Sequence, residues 1–576
     1  MLWTLNQARR LRSDDHWLNH YWGKAIFALV LLFSFPTLAT NAWTYAYNDY
    51  WGVSGWRQLP NLLTPTLEIV KNGNSVAISF PNGSPIPTND FRVVLQTTTS
   101  LSPESEWTTV TNVPTTIPYS GISTVTLPAD EPQRFFRFAV VETNRFPIFQ
   151  FAIFYDGQLE FTQSAPLSIR GRTHANGPIC MGAASGNTLL FDRPVTTASS
   201  IVVSNIGGYS SFATPVYAGT PAYRTNTPQL HLSGVISNRT IIEVPPIGES
   251  PSNWQNYYNM AAVVLLISNT TVSVNVKVPG AAAATGIVSN YTFWSYSNSN
   301  PNALVYGASN IVHQRTNLAA QVPFLNLTNR FRDYRENKWV MPTDINMAVL
   351  KNWLVTNSAV LNKFPLNSGT YPTIMYVGDF RTVTNLHAVR LLNGSIIPTN
   401  GPSHTQAQGF TLATVNPIYV WGHYNTPNPS HQGTINVSAT FPASLVGDAI
   451  TILSPNWTDN VYGNGITSLS SRSAISTTVN AAIIAGSVYT TGPAVGQWSG
   501  GLQNLTRLLE SWNGRTLTLN TSHVNLYPSL SATTQFQNPG VYYHAPTRNF
   551  NFNTNYLLEP KLPPGTPVVF GTTPLD

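Results

Sequence analysis

The chain has 576 residues, 42% of them hydrophobic and only 9% charged, with 30 Lys+Arg against 24 Asp+Glu for a net charge of +6. That much apolar material excludes a disordered polymer, and the length exceeds what one hydrophobic core fills, so several domains are expected. The cations are scattered apart from Arg9, Arg10 and Arg12, with no basic stripe interleaved with stacking aromatics, which speaks against nucleic acid as a partner.

Asn, Thr and Ser supply the polarity instead, and they favour turns and strands over helices. The fold class expected is mainly β: an N-terminal hydrophobic helix, a β-sandwich module, then a larger β-rich body with partial β-solenoid character and a few short helices. A sandwich or mixed sheet for that body stays open. The one cysteine, Cys180 in PICMG, cannot form an intrachain disulfide and reads as a small buried hydrophobe.

Residues 1–43 form a polar, mildly basic tail followed by the apolar run Ala25–Ala39, AIFALVLLFSFPTLA. Two readings compete. A cleaved export signal fits the basic start, the length of the run and the small residues around Thr40-Asn41-Ala42. A retained membrane anchor fits the flanking Tyr21, Trp22, Trp43, Tyr45 and Tyr47, placed as in an interfacial belt. Either way the Arg/Lys bias puts the start of the chain inside and everything after it outside the cytoplasm. His16 and His20, spaced i, i+4, lie on the inner tail without other metal ligands.

Residues 44–62, rich in Trp, Tyr and Asn, read as an aromatic linker. Residues 63–142 carry six strand-like runs: LEIVKNG, NSVAISF, FRVVLQTTT, WTTVTNV, STVTLP and RFFRFAVV. Turn residues separate them at sandwich spacing, with Trp107 and Phe135, Phe136 and Phe138 expected in the core.

Residues 143–330 continue as a β-rich domain with solenoid-like rungs, among them FPIFQFAIFYDGQLEFTQ, TIIEVPP and the alternating Val272, Val274, Val276 and Val278. The stretch Leu167–Val195 is the clearest: short strands cut by Gly171, by Asn176-Gly177 and by a further Gly/Asn turn. Residues 331–410 form a helix-containing α/β segment, with a helix expected over Thr343–Thr356 capped by Asp344. Residues 411–576 form a C-terminal β-rich domain packed with the 143–330 region. Here TINVSATF and LVGDAITILS read as strands, the latter with the apolar density of a strand buried on both faces. Leu502, Leu505, Leu509 and Trp512 predict an amphipathic helix over Gly501–Trp512.

No catalytic, cofactor-binding or metal-ligating residue is assigned. The chain holds no G-x-S-x-G elbow, H-E-x-x-H, P-loop, dinucleotide fingerprint or EF-hand loop. His174 in GRTHANG and His423 in WGHYN stand at comparable turn positions, where a histidine hydrogen-bonding the backbone is the default reading and a shared metal or sugar site the sharper one. Among the sparse acids Asp156, Asp192, Asp379, Asp448, Asp459 and Glu510, a glycosidase would need two facing one bond at ~5–10 Å. Asp448 reads instead as a partner for turn amides.

The 63–142 unit resembles a fibronectin-type-III-like sandwich of exported bacterial proteins, on VLQTTTSL, the W-T-x-V strand and RFFRF. From about 146 to 570 the phrases FQFAIFYDGQLEF, GRTHANG, FRDYRENKWV, NPIYVWGHYN, FPASLVGDAITILSPNW, SGGLQNLTRLLESWNG and LPPGTP come in order. They make the chain resemble large uncharacterised exported bacterial β-rich proteins, loosely likened to type IV pilus-associated or cell-surface proteins. Many of those begin with a hydrophobic segment bearing a Glu, which Ala25–Ala39 lacks.

The function expected is that of a non-catalytic, extracytoplasmic structural or adhesive surface protein, secreted or cell-surface, and part of a pilus or envelope assembly. The alternative is a polysaccharide-binding or polysaccharide-degrading exported protein. Partners implied are the membrane, through the N-terminal segment if uncleaved, and other surface proteins or polysaccharide. The enzyme question leans to no.

Overall fold

The computed structural model describes strands within residues 28–142 and most of residues 144–571, leaving out 204–211, 233–236, 247–254, 280–286, 290–320, 400–407, 460–467 and a few single positions. The tail, the 44–62 linker, His16, His20 and Trp107 lie outside the described residues. The chain divides into two compact units, Met1–Asn144 and Arg145–Asp576.

The smaller unit holds two antiparallel sheets. One pairs Glu68–Asn72, Ser75–Pro81 and Ile122–Pro128; the other orders Ala28–Val30, Phe135–Glu142, Phe91–Thr98 and Thr108–Asn112. All six runs read from residues 63–142 are strands. The apolar run Ala25–Ala39 is corrected where it is described: Ala28–Val30 is a strand, pairing antiparallel with Phe136–Phe138, not a helix. Among the described residues no helix is long and apolar enough to cross a membrane.

In the larger unit the chain winds in coils whose strands stack in parallel. One sheet runs through the whole stack. At one end Ile287–Ser289, Val272–Val276 and Val263–Ile267 pair antiparallel. From Val263–Ile267 the sheet continues through Ile374–Asp379, Phe410–Thr414, Ala443–Gly447, Ala482–Ala485, His523–Asn525, Phe151–Tyr155, Arg172–Ala175, Val195–Thr197 and Tyr223–Arg224, every one of these neighbours parallel. Thus the chain enters at the middle of the stack and climbs to Tyr223. It passes to the opposite end and coils back until His523–Asn525 meets Phe151–Tyr155. A second face runs through Lys338–Asn346, Leu386–Leu392, Ile418–Trp421, Ile450–Leu453 and Thr506–Leu508, and a shorter third through Thr477–Val479, Thr516–Thr521 and Thr547–Phe552.

The central strands of the long sheet are buried on both sides. Ile153, Leu445 and Ile483 face the coil interior. Phe154, Val446 and Ile484 face outward, under Leu230, Ile241, Ile242, Tyr257 and Val569. This explains why LVGDAITILS is apolar throughout: it makes two fully buried strands, Ala443–Gly447 and Ile450–Leu453, joined at Asp448. At ~1.5–3 kcal/mol per buried aliphatic side chain, the double cover is the main stabilising term of the stack.

Four sequence expectations are corrected. Gly501–Trp512 is not a helix: Leu502–Asn504 is one 3-10 turn and Thr506–Leu508 a strand, pairing parallel with Ile450–Ile452. Gly500 and Gly501 hold positive φ, +85° and +67°, which breaks a helix start. Leu508 and Leu509 then face opposite sides of the sheet, a period of two, not 3.6. Over 343–356 the helix is shorter, Met347–Thr356, capped by Asn346, whose side chain accepts from Val349 N. Asp344 belongs to the preceding strand. Residues 434–441 form no strand, because Thr434 and Asn436 side chains take the amides of Asn436 and Ser438. TIIEVPP is no strand either; Asn238–Ile241 is a 3-10 turn of the covering segment.

Candidate functional site

The bends that end the long-sheet strands need polar partners, since each turn exposes amides inside a packed body. Asn and Asp supply them. The Asp379 amide donates to Asn416 Oδ1 at 2.8 Å, and Asn416 Nδ2 returns to the Asp379 carbonyl at 2.9 Å. Asn525 Nδ2 reaches the Ala485 carbonyl at 2.9 Å, and Asn176 Nδ2 reaches Asp156 Oδ1 at 2.8 Å. A second ladder stacks Asn425, Asn480 and Asn520 on the next corner.

His174 sits in the strand Arg172–Ala175, not in the turn, and is fully buried between Phe151 and Phe154. Asn176 Nδ2 is committed to Asp156 Oδ1 and the Leu230 carbonyl, so Asn176 Oδ1 faces His174 Nε2 at 3.1 Å. Nε2 therefore carries the proton, and Nδ1 lies 2.9 Å from the Thr196 hydroxyl. Burial pulls this imidazole down to about 4, against the Asn176 bond that opposes it, so it is neutral near pH 7. His423 Nδ1 accepts from the Thr478 amide at 3.1 Å, a turn histidine bonding backbone. The two histidines do not meet.

The acids are bound up in the coil walls. Asp448 accepts from Arg239 at 2.7 Å, Ser529 Oγ at 2.6 Å and the amides of Leu530 and Ser531 at 2.9 Å. Arg390, fully buried, grips Asp344 and Asp459 with both edges of its guanidinium while lying over the rings of Phe331 and Trp421. Burial opposes its charge, but the two carboxylates hold it above the ordinary guanidinium range. Asp379 takes Arg381, and Glu336 takes Arg507 and the Thr533 and Thr534 amides. Asp192 accepts from the Gly171 amide at 2.9 Å, one coil away. Glu510 binds the amide and hydroxyl of Ser454 at 2.6 and 2.7 Å; burial raises its carboxyl to about 7. Cys180 is buried beside Gln158, and burial with nearby Glu160 raises its thiol. Among the described residues no group of three His, Cys, Asp or Glu could hold a metal ion.

An opening lies at the Tyr223 end of the stack. There the three ladders run out at Ile201–Val203, Val216–Tyr217 and Tyr223–Arg224, which pair back onto Ile179–Met181, Leu190–Phe191 and Val195–Thr196. Between them is a groove of about 510 Å³, lined by Ser199, Ser200, Thr214, Tyr217, Tyr223, Thr225 and Asn226 together with Ile201, Val203 and Pro215. No lining residue is charged. An aromatic row leads into it: Phe161 meets Phe191 edge-on, Phe191 stacks on Tyr217 at 5.7 Å and 19°, and Tyr217 touches Tyr223 at 5.6 Å. Tyr217 is held by its hydroxyl on Met181 Sδ at 3.3 Å, whereas Tyr223 is 51% exposed. Sequence reasoning missed both tyrosines, because no even repeat marks the coil positions that stack.

No protein-family model matches this chain, and no curated protein matches it. Among solved structures it is similar to the crystal structure of competence-associated pilin ComZ from Thermus thermophilus. That match has 8% identity and a TM-score of 0.27, over 92% of this chain and 86% of that chain. A score that low carries no weight for fold or function.

Proposed function

We propose that this chain is a non-catalytic structural or adhesive protein of the cell exterior, its larger unit a β-solenoid and its smaller unit a fibronectin-type-III-like spacer. The observation that supports it most is the fate of the acids. Asp344, Asp379, Asp448, Asp459 and Glu336 are each taken up by an arginine, which suits a rigid wall. The strand orders of the smaller unit support the spacer reading, and the basic start before Ala25–Ala39 supports export. The neutral groove favours binding over degradation of a polysaccharide, since its lining holds no acid.

The test is surface labelling of intact producing cells with a membrane-impermeant amine reagent, paired with a hydrolysis assay on a polysaccharide panel. Labelling from outside with no turnover supports the proposal. Protection in intact cells, or sustained hydrolysis by the purified chain, overturns it.

A further inference from the structure

We infer that the groove at the Tyr223 end binds a neutral oligosaccharide chain, with Tyr223 as the stacking platform. This inference rests on the non-catalytic reading above and names its ligand class.

The chemistry of the lining carries the argument. A sugar ring presents an apolar C–H face and a rim of hydroxyls. It is recognised by a flat aromatic face flanked by neutral donors and acceptors. Tyr223 offers half its surface, braced from behind by Tyr217, which is itself stacked on Phe191. Ser199, Ser200, Thr225 and Asn226, all neutral and polar, line the same groove. The backbone N–H of Asn226 donates to the Ser199 carbonyl at 3.1 Å, tying two lining residues together before a ligand arrives. With no charge in the lining, a polyanion or a nucleic acid gains nothing there, whereas a neutral glycan desolvates no ion on entering. About 510 Å³ lies inside the range of small-ligand sites and accommodates a short run of sugar units.

The test uses the full chain and calorimetric titration with hexasaccharides of β-1,4-glucose, α-1,4-glucose and β-1,4-N-acetylglucosamine. Wild type should bind at least one. Tyr223→Ala should weaken that binding about tenfold or more, and Tyr223→Phe should stay within about threefold, because the ring face and not the hydroxyl is the platform. Leu558→Ala, exposed elsewhere, should leave it unchanged. Tyr223 is half exposed, so its removal leaves no core cavity, and unchanged thermal unfolding confirms that the variant is folded. No binding to any neutral hexasaccharide overturns the inference while leaving the structural role standing. Binding unaffected by Tyr223→Ala, or preference for a polyuronate, also overturns it. Hydrolysis of a hexasaccharide that is lost with Tyr223→Ala supports the groove and overturns the non-catalytic reading instead.

Discussion

The amide of Asp156 donates to the carbonyl of Asn525 at 2.8 Å, joining the coil that begins the stack in sequence to the coil that ends it. Ser522 Oγ reinforces the same seam by donating to the Phe151 carbonyl at 2.6 Å. The stack is therefore continuous in space although the chain is cut at its middle.

The Asn525 side chain fixes the bend behind this seam, its Nδ2 lying within reach of the Ala485 carbonyl, Ser487 Oγ and the Tyr527 carbonyl. Asn525→Ala removes a fully buried amide that satisfies them, and should cost ~2–3 kcal/mol. Urea unfolding followed by circular dichroism checks this; a midpoint equal to wild type would show that the Asn525 side chain is dispensable at this bend.

Arg390→Met should cost ~3–5 kcal/mol, because it strands Asp344 and Asp459 against a packed wall. Arg390→Lys should rescue little, since a point charge cannot bridge both carboxylates over two aromatic rings. Combining Arg390→Met with Asp344→Leu should recover part of the loss. Thermal unfolding of the three variants ranks them.

Gly409 enters the Phe410–Thr414 strand at φ +70°, and a Cβ there would lie 2.0 Å from the Pro442 carbonyl oxygen, the acceptor of the Phe410 amide. Gly433 has a similar φ, +76°, with nothing within 4 Å of a Cβ. Gly433→Ala should cost ~1 kcal/mol from backbone strain alone, and Gly409→Ala clearly more, at least ~2 kcal/mol, because backbone must move. Equal midpoints for the two would refute the clash.

Acid should loosen the larger unit through its buried histidines. Burial lowers both His174 and His523 to about 4, from 6.5 when unfolded. Each therefore contributes stability that is complete above pH 6.5 and is lost as pH falls towards 4, by ~3 kcal/mol apiece. Glu510 has the opposite sign. Its carboxyl is raised from 4.5 to about 7, so its contribution is complete below pH 4.5 and is lost as pH rises through 7. Glu510→Gln should steepen the gain in unfolding free energy between pH 4.5 and 7. Denaturant titrations across that range read the slope; a slope unchanged by the substitution removes Glu510 from the account.

Much of the fold could be read from residue order. Sparse charge and abundant Asn and Thr indicated strands and turns, and Leu167–Val195 shows its short strands where Gly171 and Asn176-Gly177 cut them. The apolar density around Asp448 indicated burial on both faces, because a strand packed on two sides has no polar side to show. Where a short segment can trade local for lateral bonds, the pattern misled: Leu502–Trp512 has helical spacing, yet Thr506 pairs across to Ile450.

Stacking order was decided only in three dimensions. Ile153, Thr173, Val195 and Tyr223 lie over one another, at intervals of 20, 22 and 28 residues. Met375, Leu412, Leu445, Ile483 and His523 do so at 37, 33, 38 and 40. Loops of unequal length cost little to close, so coils stack without an even period and leave no repeat to read. The same holds for the groove: Tyr217 and Tyr223 become neighbours because two ladders end side by side, a relation of space that residue order alone does not carry.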